Sequence, residues 1–335
     1  MKGKPIISVL MPVKNTGKFL QECLESILNQ SIKNWELIAV DDHSEDNSFA
    51  ILNSYANQDS RIRVYKNSNK GIIAALCLAY KQSTGNYITR MDSDDIMEPD
   101  KLELMHKQLD KDGGGYIAVG FVNYFSKNKL GEGYTNYAHW LNNLTSAASN
   151  FSDIYKECSI PSPCWMINRD DFDKCGGFDS TIYPEDYDLA FRFRKAGLRI
   201  TPVKKVIHQW RDYESRTSRT DKNYSDNRFS ELKVMHFLDQ DFDSNSDVPL
   251  ILWGAGTKGK KIAILLTDKK VNFQWICNND NKIGKDIYGT ILENLAPVAR
   301  PAKAQVIVAV SSQHDRDEIE QLIMNNRQHQ YFRFF

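Results

Sequence analysis

Three carboxylates fall within four residues at Asp92, Asp94 and Asp95, in the stretch RMDSDDIMEPDKL that runs from Arg90 to Leu102. Aspartates this close repel one another, so a loop carrying them needs a cation, basic neighbours or full hydration. An isolated D-x-D-D is most simply a solvated turn, with Asp95 or Asp100 capping the next helix. This one has company: Asp41-Asp42, Glu185-Asp186, and the cations Arg211, Arg216 and Arg219 near the middle of the chain. Oxygen ligands grouped at one sheet edge suit a hard divalent ion whose shell is completed by phosphate oxygens. The forked donors of the arginines suit a diphosphate, on a loop able to close over it.

The elements that must position these groups read as alternating strand and helix. Ile6 to Val13 is an apolar run ended by Lys14-Asn15-Thr16-Gly17, and Phe19, Leu20, Cys23, Leu24, Ile27 and Leu28 then recur at helical spacing. Glu36 to Val40 predicts a second strand, Ser48 to Gln58 a helix, Arg61 to Lys66 a third strand, and Tyr87 to Met91 a strand after a helix ending near Gln82. Such alternation implies a mostly parallel sheet covered by helices. Ligands of open α/β sheets bind beyond the carboxyl ends of strands, where both Asp41-Asp42 and Asp92 to Asp95 fall. A strand near Tyr116 to Tyr124, a polar Asn- and Ser-rich region, a helix near Tyr187 to Ala196 and another near Arg228 to Leu238 follow.

Composition limits the partners. The 335 residues carry 43 basic and 43 acidic side chains, so no global field argues for nucleic acid or an acidic membrane surface. Six cysteines without a C-x-x-C pair, and a start lacking a long apolar core, predict a cytosolic chain with reduced thiols. The apolar runs are too short to span a bilayer, which leaves peripheral contact at the inner face of the membrane open.

The run ISVLMPVKN, the strand-end VDDHSEDNS, the segment NKGIIAALCLAYKQSTGNYITRMDSDD and the later CGGFDSTIYPEDYDLAFRFRKAG together resemble the inverting glycosyltransferases of family 2. The resemblance covers about Ile6 to Arg219. It implies a GT-A fold and transfer of a sugar from a nucleotide diphosphate to an acceptor hydroxyl, with a UDP-sugar the favoured donor, Mg²⁺ or Mn²⁺ as cofactor, and a lipid-linked or oligosaccharide acceptor. Carried onto this chain, Asp42 binds the nucleobase with Pro12 and Asn15 beside it. Asp92 leans toward the ribose and, with Asp94, forms the metal pair, while Asp95 assists. Asp186 is the base that takes the acceptor proton; the plainer alternative is that Glu185 and Asp186 merely complement a helix dipole. Arg90 belongs to the same signature or pairs with nearby carboxylates. Trp165, Gly177 and Glu185 are expected around the acceptor or sugar. Many family members place a histidine about two residues after the arginine matching Arg211; this chain has Asp212, Tyr213 and Glu214 there. His208, beside Trp210, reads as a packed residue outside the metal set.

The acidic tract 239–247 predicts a linker between a glycosyltransferase domain at 1–238 and a smaller Rossmann-like accessory domain at 248–335. There Gly254, Gly256 and Gly259 complete a G-x-G-x-x-G between strand and helix, but the next strand ends in Asn278-Asn279 where an acidic residue should hold a ribose, with Asp280 a late substitute. The glycines then serve tight packing or a nucleotide-like ligand. Two other functions compete: a non-catalytic nucleotide-sugar-binding or scaffold protein, and a sugar nucleotidyltransferase, for which Lys14-Asn15-Thr16-Gly17 makes a poor phosphate loop.

Overall fold

The structure is a computed structural model that describes residues 5–127, 130–220, 229–244, 247–299, 303–310 and 312–335. Residues 245 and 246 of the expected linker, and Arg228 of the expected helix, lie outside them. The chain divides into two compact units. One takes the chain to Ser152 together with Cys158–Arg219; the other takes Asp153–Glu157 and the chain from Thr220 to Phe335.

The first unit is built on an eight-stranded mixed sheet. Its strands are β1 (Ile7–Val13), β2 (Trp35–Asp41), β3 (Ile62–Lys66), β4 (Tyr87–Arg90), β5 (Ile96–Met97), β6 (Tyr116–Phe125), β7 (Trp165–Asn168) and β8 (Arg199–Arg211), in the spatial order β3-β2-β1-β4-β7-β6-β8-β5. The first four in that order pair in parallel. β7 is antiparallel to both β4 and β6, and β6 runs parallel to β8. Every residue of β2 is buried, as befits a strand covered on both faces. Helix α1 (Gly17–Leu28) presents Phe19, Leu20, Cys23, Leu24 and Ile27 to the core, the stripe its spacing predicted. α2 (Ser48–Gln58), α3 (Ile72–Gln82) and α4 (Lys101–Asp112) complete the alternating part.

Past β6 the sequence was harder to read. The polar region contains α5 (Glu132–Ser146), and the helices α6 (Arg169–Lys174) and α7 (Glu185–Lys195) flank the Gly176-Gly177 turn. β8 extends over 13 residues where no strand was expected. Its pairing with the two-residue β5 brings Met97 opposite His208 and Ile96 opposite Gln209.

The second unit holds a six-stranded sheet: β9 (Leu250–Trp253), β10 (Gln274–Ile276), β11 (Asp286–Ile287), β12 (Thr290–Glu293), β13 (Gln305–Val308) and β14 (Gln330–Arg333), ordered β11-β12-β10-β9-β13-β14. Five strands are parallel, running out from β9 to β12 on one side and to β14 on the other, which is a doubly wound, Rossmann-like order. Composition puts the boundary at the acidic tract, but packing carries the helix Phe229–Gln240 into this unit. Phe237 meets Phe332 at 4.8 Å between ring centroids, and Tyr155 stacks on Phe334 at 5.0 Å. Among the described residues no helix is long and apolar enough to cross a membrane.

Candidate active site

The turns that follow β1 and β2 are fastened together. The backbone N–H of Asn15 donates to Ser44 Oγ, that of Thr16 to Ser48 Oγ, and that of Gly17 to Asp46 Oδ2, at 2.9–3.0 Å. Asn15 Oδ1 accepts from the Glu45 N–H in return. Ser44, Ser48 and Asp46 of VDDHSEDNS therefore take up the N–H groups of the turn that leads into α1. That helix end holds side chains where a phosphate loop would hold phosphate. Pro12 is half-buried one residue before the end of β1, opposite Val40.

Asp42 is buried, and its carboxylate accepts from Asn67 Nδ2 at 2.7 Å and from the Gly71 N–H at 3.0 Å, with Lys14 Nζ 3.6 Å away. Beside it Asp41 keeps one buried oxygen, Oδ1, with no hydrogen-bond partner. A hydroxyl bond from Thr16 Oγ1 to Ser93 Oγ, 3.0 Å, ties the first turn to the aspartate loop after β4.

In that loop the three carboxylates have separate surroundings. Asp92 Oδ1 accepts from Arg90 Nε at 3.0 Å, and Arg90 Nη1 donates to Glu185 Oε1 at 2.7 Å. Arg90 is almost fully buried, so a single guanidinium links the aspartate loop to the residue beside Asp186. Asp94 Oδ2 accepts the phenol proton of Tyr213 at 2.8 Å. Burial, and then the charges of Asp95 and Asp92, push the Asp94 carboxyl up to about 7. Asp95 has no exposure: Oδ1 accepts the Arg211 N–H at 2.8 Å and Oδ2 lies 2.9 Å from His208 Nε2.

His208 and Lys101 are also fully buried. Lys101 Nζ donates to the Pro163 carbonyl at 2.5 Å and lies 3.3 Å from His208 Nδ1. An ammonium can only donate, so Nδ1 is the acceptor and Nε2 carries the proton given to Asp95. Burial, reinforced by Lys101, pushes the imidazole well below its usual range and keeps it neutral. Both ring nitrogens are thereby engaged, as expected of a packed residue. Lys101 was not singled out from the sequence, although a lysine three residues ahead of Leu104 in an amphipathic helix offers little signal.

Arg211 also turns inward. Its Nε donates to the Asp94 carbonyl at 2.7 Å, Nη2 pairs with Glu22, and the guanidinium lies between the rings of Phe19 and Phe125. Arg216 is buried 4.8 Å over the Trp210 ring, with the three aspartates among the charges that raise its own pKa. Arg219 is exposed and clasps Asp212 with two bonds of 2.8 and 2.7 Å. Asp212 and Tyr213, which stand where a histidine was looked for, thus hold Arg219 and Asp94. Tyr213, two residues after Arg211, carries no expected role in the sequence, and its bond to Asp94 emerges only in the fold.

Asp186 is partly exposed at the start of α7, which follows a cis Tyr183–Pro184 peptide. Burial of its carboxyl and the adjacent Glu185 push it up to about 7. Glu185 itself is buried and pairs with Arg90, so its charge meets that arginine on one side and Asp186 on the other. Gly177 sits at φ +49, where its carbonyl accepts from Arg192 Nη1 at 2.8 Å, so that the turn is anchored to α7. Trp165, expected near the acceptor or sugar, is 2% exposed and packs between Phe172 and Phe193, because β7 inserts into the middle of the sheet.

The donors fit a hard cation in part. Asp92 and Asp94 supply oxygen only, and mutual repulsion in a buried loop is relieved by positive charge. Among the described residues no group of three or more His, Cys, Asp or Glu side chains converges as a complete metal site. The remaining ligands would have to be water or substrate oxygens, as in sites that bind a metal through one or two carboxylates and a phosphate.

Comparison with known proteins decides the family. The sequence model described as "Glycosyl transferase family 2" matches residues 8–176, half of the chain. The chain belongs to glycosyl transferase family 2. It is 33% identical over 168 residues to the putative teichuronic acid biosynthesis glycosyltransferase TuaG of Bacillus subtilis (strain 168), covering 50% of this chain and 64% of that one. Two solved structures share the GT-A fold. S. aureus TarS 1-349 in complex with UDP-GlcNAc has a TM-score of 0.53 at 16% identity, covering 78% of this family 2 chain and 71% of that chain. The mannosyltransferase PcManGT from Pyrobaculum calidifontis in complex with GDP-Man and Mn²⁺ has a TM-score of 0.52 at 18% identity, covering 73% and 66%. The chain spans less than two thirds of the length of the curated relatives it matches.

Proposed function

We propose that this protein is an inverting, divalent-metal-dependent glycosyltransferase that moves a sugar from a nucleotide diphosphate, with a UDP-sugar favoured, to a hydroxyl of a lipid-linked or oligosaccharide acceptor in cell-surface polysaccharide synthesis. One observation carries the reading: the buried Arg90 bridges Asp92 and Glu185, so the loop suited to the leaving diphosphate and the helix start bearing a candidate base form one ion-paired assembly. TuaG's name supports the polysaccharide context, and the titles of TarS and PcManGT support a nucleotide-sugar donor. Work in the cytoplasm, at the inner face of the membrane when the acceptor is lipid-linked, belongs to the same reading.

Asp42, with Pro12 and Asn15 beside it, receives the base of the donor, and Asp92 faces its ribose. Asp94 and Asp92 would hold Mg²⁺ or Mn²⁺, which when bound would neutralise charge on the diphosphate. Arg216 adds a fixed positive charge on the same side, Arg219 is held by Asp212, and Arg211 keeps the loop in shape. The acceptor oxygen attacks the anomeric carbon from the face opposite the diphosphate. The new C–O bond forms as the bond to the phosphate oxygen breaks, its electron pair leaves with the nucleoside diphosphate, and the acceptor proton passes to the Asp186 carboxylate. Gly177 and the anchored turn set the acceptor side. A carboxyl near pH 7 is suited to this role, since it is ionised often enough to accept and basic enough to pull.

Calorimetric titration with UDP tests the donor half. Binding should require Mn²⁺ or Mg²⁺ and be lost in Asp94→Ala; equal affinity in EDTA would remove the metal from the account. The fastening of Asn15, Thr16 and Gly17 by Ser44, Asp46 and Ser48 weighs against the nucleotidyltransferase alternative.

A further inference from the structure

The reaction above leaves the second unit without a task, yet that unit has an open cleft. It lies beyond the carboxyl ends of β10 and β12, has a volume of about 460 Å³, and is lined by Cys277, Asn278, Asp280, Ile283, Asn294 and Leu295. Crevices at this edge of a doubly wound sheet are where its ligands bind. The volume is at the lower end of small-molecule sites, room for one nucleoside rather than two.

Its polar groups are specific. Trp253 Nε1 donates to Asn278 Oδ1 at 3.0 Å, which fixes that amide and leaves its NH₂ as a donor. Asn294 Oδ1 accepts the Ala296 N–H at 2.9 Å, leaving a second NH₂. Asp280 is an exposed carboxylate on the same wall, able to accept from sugar hydroxyls. Two amide donors and a carboxylate around an apolar floor of Ile283 and Leu295 match a nucleobase carbonyl edge and a ribose.

The three glycines of the neighbouring turn divide by role. A Cβ on Gly259 would stand 1.9 Å from the Gly254 carbonyl oxygen, and one on Gly254, at φ +124, would stand 2.8 Å from the Ala309 carbonyl oxygen. Those two are required by packing. Gly256 is not: its φ is −80°, and an added Cβ would meet nothing within 4 Å. The space that its missing side chain leaves is at the head of the helix Thr257–Asp268. Positive charge gathers there. Lys282 Nζ donates to the Ala255 carbonyl at 2.9 Å, and Arg316 Nε donates to the Val310 carbonyl at 3.3 Å at the end of β13. Burial, and then Arg316, hold the half-buried Lys258 below its usual range, with Glu157 the acid that opposes them.

We infer that the second unit binds one nucleoside diphosphate, its base and ribose in the cleft beyond β10 and β12 and its phosphates over Gly256 between Lys282 and Lys258. Nothing covalent is involved. The site is separate from the donor site proposed above and does not depend on it.

The test is calorimetry of the full chain bearing Asp42→Asn and Asp94→Ala, which silence the first unit, titrated in EDTA with UDP, GDP and ADP in turn. At least one of the three should still bind at one equivalent per chain. Gly256→Val, whose backbone angles and surroundings accept a side chain, should then weaken that binding by about tenfold or more at unchanged melting temperature, since a backbone–phosphate approach is blocked. Lys282→Ala should weaken it in the same direction. No saturable binding of any of the three, or binding indifferent to both Gly256→Val and Lys282→Ala, would overturn the proposal. Metal-dependent UDP binding by the unaltered first unit is read separately, so the two readings fail independently.

Discussion

At the scale of single residues, the aspartates of RMDSDD do different things, which spacing alone could not tell. Asp95 is locked between the His208 ring and the Arg211 N–H, whereas Asp94 holds only a phenol proton and a repelled charge. The acidic clusters are legible because two of them fall at the carboxyl ends of predicted strands of one sheet, where ligands of α/β folds bind. The inward turn of Arg211 and the burial of Trp165 are not, since both depend on which strand enters the sheet beside them. Asp186 yields a pH prediction with a definite sign. A base must be ionised to act, and burial raises its pKa, so protonation removes activity as pH falls through about 7. A plot of log kcat against pH should therefore rise with unit slope below about 7 and level above it. A profile that stays flat down to pH 5 would dissociate Asp186 from the proton transfer.

At the scale of elements, the seven alternating elements from β1 to β4 follow from apolar spacing, while α5 and β8 do not. The α5 segment EGYTNYAHWLNNLTS has polar residues on most of its faces, and the lysines and threonine of β8 break the alternation a strand would show. What fixes β8 is partly its contact with β5, through the buried chain Lys101–His208–Asp95. Removing one end of such a chain leaves buried polar atoms without partners. Lys101→Met should lower unfolding free energy by about 3 kcal/mol, because the His208 nitrogen and the Pro163 carbonyl lose their donor. Urea denaturation measures it, and a variant as stable as the parent would show that the lysine's desolvation cost cancels its bonds.

At the scale of the whole molecule, composition places a boundary at the acidic tract, whereas contacts group the helix before it with the second unit. An acidic tract marks a place with little to bury, yet the boundary is set by long-range aromatic contacts that no local window reports. Phe237 and Tyr155 pack on Phe332 and Phe334, residues almost at the other end of the sequence. A chain cut before Val248 should therefore expose these rings and aggregate or melt well below the full chain in light-scattering and thermal scans; a truncated protein as stable as the parent would restore the compositional boundary. The same long range governs the proposed reaction, in which Arg90 joins carboxylates 93 positions apart in the chain, Asp92 and Glu185. The most direct measurement is sugar transfer by Asp186→Asn beside its affinity for the nucleotide donor. The account predicts donor affinity close to that of the parent and kcat reduced by about 10²- to 10⁴-fold, the usual worth of a positioned general base; transfer at the parental rate would contradict it.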